Sequence, residues 1–480
     1  MPIRIYDSME RATVPFQTRE VGKVAMYCCG PTVYNYVHIG NARTLAWFDF
    51  IRRYLRYRGY DVTYVMNYTD VDDKIIERAN FEKLPPEAVT AKYTKAFEED
   101  MIGLGVEVPD LTVKATDHIP LMVEGIEGLI EKSAAYAVDG DVWFAVESFD
   151  GYGKLSGRTL DDMRAGERVE PREGKRHPLD FALWKAAKEG EPSWPSPWGQ
   201  GRPGWHIECS VMSTKYLGMS FDLHGGASDL IFPHHENEIA QAEALADGEE
   251  FVRHWMHAGL VQIDAVKMSK SLGNSVLAKD VREQFGDEQT RYWVLAGSYR
   301  SQAAFTDSSL NDAAQGYERL RTFDSAVRHV LGDELPDRAE LETRPGDAPE
   351  ATGYVARFIG AMDDDFNSAG ALSVIHDLVR EGNKLLEEAQ RGDGEARHAI
   401  AELYVSFAEL TRLLGFKFQK VEGADHELLG GVLDYMLELR EQARSEKAFD
   451  RADAIRDKLQ GLGVAVEDTP GGPRWRVEGP

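Results

Sequence analysis

The sequence predicts an α/β fold, a parallel sheet covered by helices, continued by a helical bundle and a small α+β tail. Three observations predict it. Short apolar runs alternate with amphipathic stretches through the first third of the chain, the spacing of strand–helix–strand–helix units. Beyond about residue 353 the apolar spacing becomes helical. The last segment reads as two helices followed by two short strands around a turn.

Each element has a local reason. KVAMYCC is a strand bounded by Gly30-Pro31, and NARTLAWFDFIRRYLRYRG is a helix that stops at Gly59. DVTYVMNY is the next strand, and VDDKIIERANFEKL the next helix. That alternation implies a parallel sheet. From about 145 to 205 the chain is rich in Gly, Pro and Trp, as in EPSWPSPWGQGRPGW, which predicts a loop-rich inserted subdomain. Alternation resumes to about residue 310. LGDELPDRAELETRPGDAPEAT is acidic and punctuated by proline, so it reads as a linker. YVARFIGAMDDDFNSAGALSVIHDLVREGNKLLEEAQ and AIAELYVSFAELTRLLGF are amphipathic and predict a bundle.

With 480 residues, 43% of them hydrophobic, the chain is long enough for several domains and a large core. No apolar run approaches the ~18 residues of a membrane span, and the N-terminal MPIRIYDSMERATVPF has no apolar h-region, so neither membrane insertion nor export is expected. A formal charge of −26 excludes wholesale coating of nucleic acid, though a local basic patch can still touch phosphate. The cysteines are Cys28, Cys29 and Cys209, an odd set with two neighbours, a poor disulfide framework. A reducing, cytoplasmic location is expected, where cysteines serve as ligands, nucleophiles or core.

Three motifs carry chemistry. In CCGPTVYNYVHIGN the strand ends at the cysteines and a loop delivers His38, Gly40 and Asn41 to a helix N-terminus, which favours phosphate. Gly40 lets a ligand approach the backbone, while His38 and Asn41 add donors. KMSKSLGN places Lys267 and Lys270 in a loop that can neutralise charge building on a pyrophosphate leaving group. FPHHENE puts His234 and Glu238 four apart, on one face if the stretch opens a helix. Alone that pair reads first as a solvated, salt-bridged helix start. WHIEC lies about 25 residues upstream and puts Trp205 and Cys209 on one helical face. Cys29, Cys209, His234 and Glu238 together offer two thiolates, an imidazole and a carboxylate, a donor set that suits zinc.

HIGN with KMSKS resembles the paired signature of the class I aminoacyl-tRNA synthetases. CGPTVY, NYTDVDDKII, GRPGWHIECS, FPHHENE and KMSKSLGN resemble the cysteinyl-tRNA synthetases in particular, as does AFDRADAIRDKLQGLGVAVEDTPGGPRW in the tail. The resemblance implies a Rossmann-like catalytic domain over 1–325, with an insertion at about 110–205 and a KMSKS and stem-contact region at about 250–325. It implies a linker at 326–352, a helical bundle at 353–425 and an anticodon-binding domain at 426–480. It also implies activation of L-cysteine by ATP with Mg2+, transfer to tRNA(Cys), and one zinc per chain on Cys29, Cys209, His234 and Glu238. His38, Asn41, Lys267 and Lys270 would surround the triphosphate. Thr69, Trp205 and Asp229 match positions that hold the amino acid or ribose. The sequence departs from the family pattern at Asn41, Ala227 and Glu77, and Cys28 stands where an apolar residue is usual. Rival readings are a cysteine ligase with an amino-sugar acceptor and a non-catalytic tRNA-binding relative. No coiled-coil seam is visible, so a monomer is expected.

Overall fold

A hairpin of β1 (Arg4–Asp7) and β2 (Ala12–Pro15) precedes the first buried strand, β3 (Lys23–Cys28). This computed structural model describes residues 2–160, 162, 174–263, 266–267, 276–332, 335, 353–418, 424–462, 464–469 and 472–477. After β3 come α1 (Ile39–Tyr57), β4 (Asp61–Tyr68), α2 (Asp73–Glu82), α3 (Pro86–Gly103), β5 (Leu111–Lys114) and α4 (Ile119–Glu131). Strands β6 (Ala135–Val138), β7 (Asp141–Phe144), β8 (Phe181–Ala186) and β9 (Gly201–Pro203) follow. Then come α5 (Trp205–Leu217), β10 (Phe221–Ala227), α6 (Glu236–Leu245), β11 (Val252–Ala258), β12 (Val261–Ile263) and β13 (Val266–Lys267). Short helices α7 (Ala278–Phe285) and α8 (Asp287–Leu295) and strand β14 (Ala303–Phe305) lead into α9 (Asp307–Leu331), α10 (Gly353–Met362), α11 (Ser368–Gln390) and α12 (Gly394–Leu413).

The central sheet is parallel, in the order β11-β10-β3-β4-β5. From β3 the chain winds one way to β4 and β5; later it returns on the other side with β10 and β11. The order therefore reverses between β3 and β10, and ligands of open α/β sheets bind outside the carboxyl ends of strands at such a point. Helix α1 is buried along most of its length, because it packs between the sheet and the helical region. It stops as expected, at Arg58 followed by Gly59 with φ +85°. Gly30, after β3, runs so close to β4 that a Cβ there would lie 1.6 Å from the Asn67 carbonyl oxygen.

Two expected boundaries move. Leu111–Lys114 pairs with β4 in the central sheet, so the insertion begins beyond it and not at 110. The inserted region is also less irregular than its composition predicts. It holds an antiparallel sheet, β6-β7-β8-β9, whose Phe144, Phe181, Leu183 and Trp184 join the core that includes α4 and α5. The second shift is at α9, which starts at a Thr306/Ser309 capping box and runs through Leu331, past the expected linker start at 326. Residues 336–352 of that linker lie outside the described residues. The chain divides into two compact units, Met1–Lys417 and Phe418–Pro480. The second contains α13 (Ala424–Ser445), α14 (Phe449–Gly461) and an antiparallel hairpin of β15 (Val464–Thr469) and β16 (Gly472–Val477). Leu433, Leu437, Leu459 and Val464 form its core. No described helix is long and apolar enough to cross a membrane.

Candidate active site

Strands β3 and β10 end at a cavity of about 490 Å3 whose lining includes Cys29, His38, Asn41, Trp205, Ala227 and Asp229. His38 caps α1, its Nδ1 accepting from the Asn41 backbone N–H at 3.3 Å. A Cβ on Gly40 would lie 3.1 Å from the His38 ring, so a larger residue would press on that ring. The chain leaving the KMSKS segment is stitched to the same turn. Ile39 N–H donates to the Val276 carbonyl at 2.9 Å, Ala278 N–H to the Val37 carbonyl at 2.9 Å, and His38 bridges Leu277. Lys267 sits in β13, opposite Gln262 of β12. Lys270 lies outside the described residues.

At the floor of the cavity four donors converge, from β3, α5 and the turn into α6. Cys29 Sγ lies 3.7 Å from Cys209 Sγ, 3.5 Å from His234 Nε2 and 3.4 Å from Glu238 Oε1. His234 Nε2 and Glu238 Oε1 are 2.9 Å apart. The FPHHENE stretch does not simply open a helix: Ile231–His235 is a π turn with Phe232 extended inside it, and α6 follows from Glu236. His234 and Glu238 keep the i,i+4 relation across this join. Trp205 stacks on the His234 ring at 3.9 Å between centroids and is 36% exposed, so it walls the cluster from the cavity side. The adjacent Cys28 faces the other side of β3, toward Tyr64, and burial pushes its thiol to about 12. The four donors could hold a metal ion.

The electrostatics fit a cation. Glu238 has no exposed surface. Burial disfavours its charge, yet His224 and His234 hold its carboxyl well below the usual range. Burial also opposes a charged His234, but Glu238 and Cys209 raise it to about 9. Cys209 is drawn down to about 6: hydrogen bonding from Cys29 and His234 outweighs burial. Burial and the neighbouring Cys209 keep Cys29 protonated. Positive charge is therefore supplied by protons, on groups that also ligate metals.

Sequence reasoning missed several partners. His224 Nε2 meets Glu238 Oε2 at 2.8 Å, and His235 Nδ1 meets His257 Nε2 at 2.8 Å. His206 Nδ1 lies 2.7 Å from His234 Nδ1. Thr69 is fully buried, and its hydroxyl donates to Glu208 Oε2 at 2.8 Å. Burial and Cys209 push the Glu208 carboxyl well above the usual range. Glu208 adjoins Cys209 and His224 opens the HGGA run; those neighbours were the available signals.

Residues 15–315 match the profile of the tRNA synthetases class I (C) catalytic domain, 357–419 that of the DALR domain, and 429–476 that of the cysteinyl-tRNA ligase anticodon binding domain. A cysteine–tRNA ligase of Brevibacillus brevis is 48% identical over 480 residues, spanning 99% of this chain and all of that one. The chain belongs to the cysteine–tRNA ligase family. A family member from Desulfitobacterium hafniense is also 48% identical, with both chains fully covered. Among solved structures, methionyl-tRNA synthetase of Mycobacterium tuberculosis in complex with methionyl-adenylate shares the fold, with a TM-score of 0.59 and 17% identity over 82% of this chain and 90% of that one. A putative arginyl-tRNA synthetase of Campylobacter jejuni has a TM-score of 0.55 at 13% identity, covering 84% and 95%.

Proposed function

We propose that this chain activates L-cysteine with ATP–Mg2+ and transfers the cysteinyl group to tRNA(Cys), in the cytoplasm and as a monomer. The observation that carries the reading is that Cys29 of the four-donor cluster and the His38–Asn41 turn line one cavity at the sheet's switch point. A cysteine whose thiol reaches the cluster can present its carboxylate to a nucleotide held at the α1 N-terminus.

The metal is assigned as zinc, one per chain. Bond lengths of ~2.3 Å to sulfur and ~2.0 Å to nitrogen in a tetrahedron separate ligands by roughly 3.8 Å (S–S) and roughly 3.5 Å (S–N). The corresponding separations here are 3.7 Å and 3.5 Å. Zinc held by Cys29, Cys209, His234 and Glu238 would supply a soft centre that favours a thiolate over serine's hard alcohol. A plain pocket separates such near-isosteres by only about 1–3 kcal/mol.

The chain's own groups do the rest. The cysteine carboxylate attacks the α-phosphorus of ATP and pyrophosphate leaves; a ribose hydroxyl of tRNA then attacks the carbonyl and AMP leaves. No protein nucleophile is needed. His38, Gly40 and Asn41 bind the phosphates, and Lys267 and Lys270 stabilise charge as pyrophosphate departs. Trp205 closes over the amino acid, Thr69 orders the floor beneath it, and Asp229 holds the amino group or ribose at the rim. The catalytic domain, expected over 1–325, is assigned to extend to Leu331 at the end of α9, the bundle to 353–425 and anticodon recognition to 426–480. The match of 429–476 to an anticodon-binding profile favours tRNA over an amino-sugar acceptor.

Cysteine-dependent ATP–pyrophosphate exchange, followed by competition between tRNA(Cys) and amino-sugar acceptors, tests the reading. Exchange with cysteine and transfer to tRNA alone are expected. Transfer to the sugar would establish the rival, and absence of exchange would leave only a binding protein.

A further inference from the structure

At the rim of the cavity described above, cations sit over aromatic rings, among the carboxylates of Asp72, Glu77 and Glu82. Tyr34, Tyr36 and Lys74 line its mouth. The Lys74 ammonium lies 5.7 Å from the centre of the Tyr34 ring, and that of Lys279 lies 4.1 Å from Tyr36. Moving outward along α2, Arg78 donates from Nε to the Tyr34 carbonyl at 3.2 Å. Its guanidinium stands over two rings, Tyr93 at 5.6 Å and Phe81 at 5.8 Å. Phe81 is 78% exposed, whereas Tyr93 is buried and holds Tyr36 edge-on at 5.3 Å. Lys92 completes the group, 4.8 Å from the Tyr93 ring. Glu82 accepts from Tyr93 and Lys92, and it pairs with the Lys92 ammonium at 2.9 Å and the Arg78 guanidinium at 3.7 Å.

Cations layered over aromatic rings, two of them shared with Glu82, offer donors to phosphate and planes to bases. From the continuity of this strip with the active-site cavity, we infer that the strip from Tyr36 and Lys74 out to Phe81 and Lys92 is the platform on which the unpaired 3′ nucleotides of tRNA stack as they enter. The inference rests on the proposed activity, because the terminal ribose must reach the cavity. Single-stranded bases are read by stacking and by backbone charge, and this strip supplies both. Phe81 and Lys92 lie outside the cavity lining, so they touch the RNA and not the adenylate.

The test uses full-length protein, a tRNA(Cys) transcript, and the same transcript trimmed of its unpaired 3′ nucleotides. Trimming should weaken binding to the wild type by about tenfold or more, the worth of one or two stacked bases. In Phe81→Ser/Lys92→Gln, the intact transcript should bind as weakly as the trimmed one, while cysteine-dependent exchange stays at the wild-type rate. If trimming costs the variant as much as the wild type, or costs the wild type nothing, the platform is elsewhere. Absence of exchange in the wild type would sink the proposed activity instead; the binding comparison would still decide the strip.

Discussion

Asp49 and Glu238 are both completely buried carboxylates, and they are neutralised in opposite ways. Asp49 on α1 is gripped by Arg53 at 2.8 Å and by Arg52 and Arg291 at 3.0 Å. Arg291 also donates to the carbonyls of Leu104 and Leu414, tying α1, the end of α3 and the end of α12 together. Guanidinium charge is permanent, so this cluster is complete within the chain. Glu238 is surrounded by imidazoles and thiols, whose charge depends on protons. Such a cluster can exchange its protons for a metal; the arginine cluster cannot. The difference separates a structural clamp from a ligand site.

The largest effect is expected at the clamp. Asp49→Ala takes the carboxylate partner from the buried Arg291, while Arg52 and Arg53 keep Glu107, and should cost about 3–5 kcal/mol in denaturant unfolding. Metal per folded chain should not change; a loss there would mean that the two clusters are coupled. Burial opposes the Asp49 charge, but the three arginines still hold its carboxyl below its ordinary value. Its contribution is therefore complete above the ordinary carboxylate range and disappears as pH falls through the lower folded value. Asp49→Asn should flatten that acid limb.

Glu238→Gln should behave in reverse, losing the metal and lowering cysteine-dependent exchange by about a hundredfold or more, with a smaller change in stability. Retention of full metal content would remove Glu238 from the site. A subtler effect is proton release. Cys29 is protonated and His234 stays charged up to about 9, while Cys209 is already thiolate above about 6. Between these limits metal binding should release about two protons, so affinity should rise with pH across the window. Titration calorimetry in buffers of different ionisation enthalpy counts them, and a count near zero would contradict the proton-for-metal exchange.

The smallest effect is expected at Cys28→Ser. Its thiol faces away from the cluster, so metal content should not change, and stability should fall by about 1 kcal/mol. Metal loss would mean that the wrong neighbour was chosen.

The two clusters also differ in how far sequence could foresee them. His234, Glu238 and Cys209 stand in short motifs at helical spacing, and the order of strands and helices around them follows hydrophobic period. The clamp was invisible, because Asp49, Arg291 and the Leu414 carbonyl are far apart in sequence and each looks like an ordinary helical residue. The same limit hid His224 beside Glu238 and Glu208 beneath Thr69. In the insertion, FALWKA was obscured by Gly, Pro and Trp neighbours that mark loops, although its side chains enter the main core. In the tail, several basic side chains are taken up within the fold. Arg440 is buried, and Arg444 and Arg456 pair with Glu441, Asp453 and Asp457. The side chains of Arg474, Trp475 and Arg476 lie outside the described residues.

The central claim is that the Glu238 cluster holds a metal that selects the substrate by its thiol. X-ray absorption at the zinc edge measures this on the loaded protein. The site should show two sulfur neighbours alone, three with saturating cysteine, and two again with serine. A sulfur count that stays at two in the presence of cysteine would contradict it.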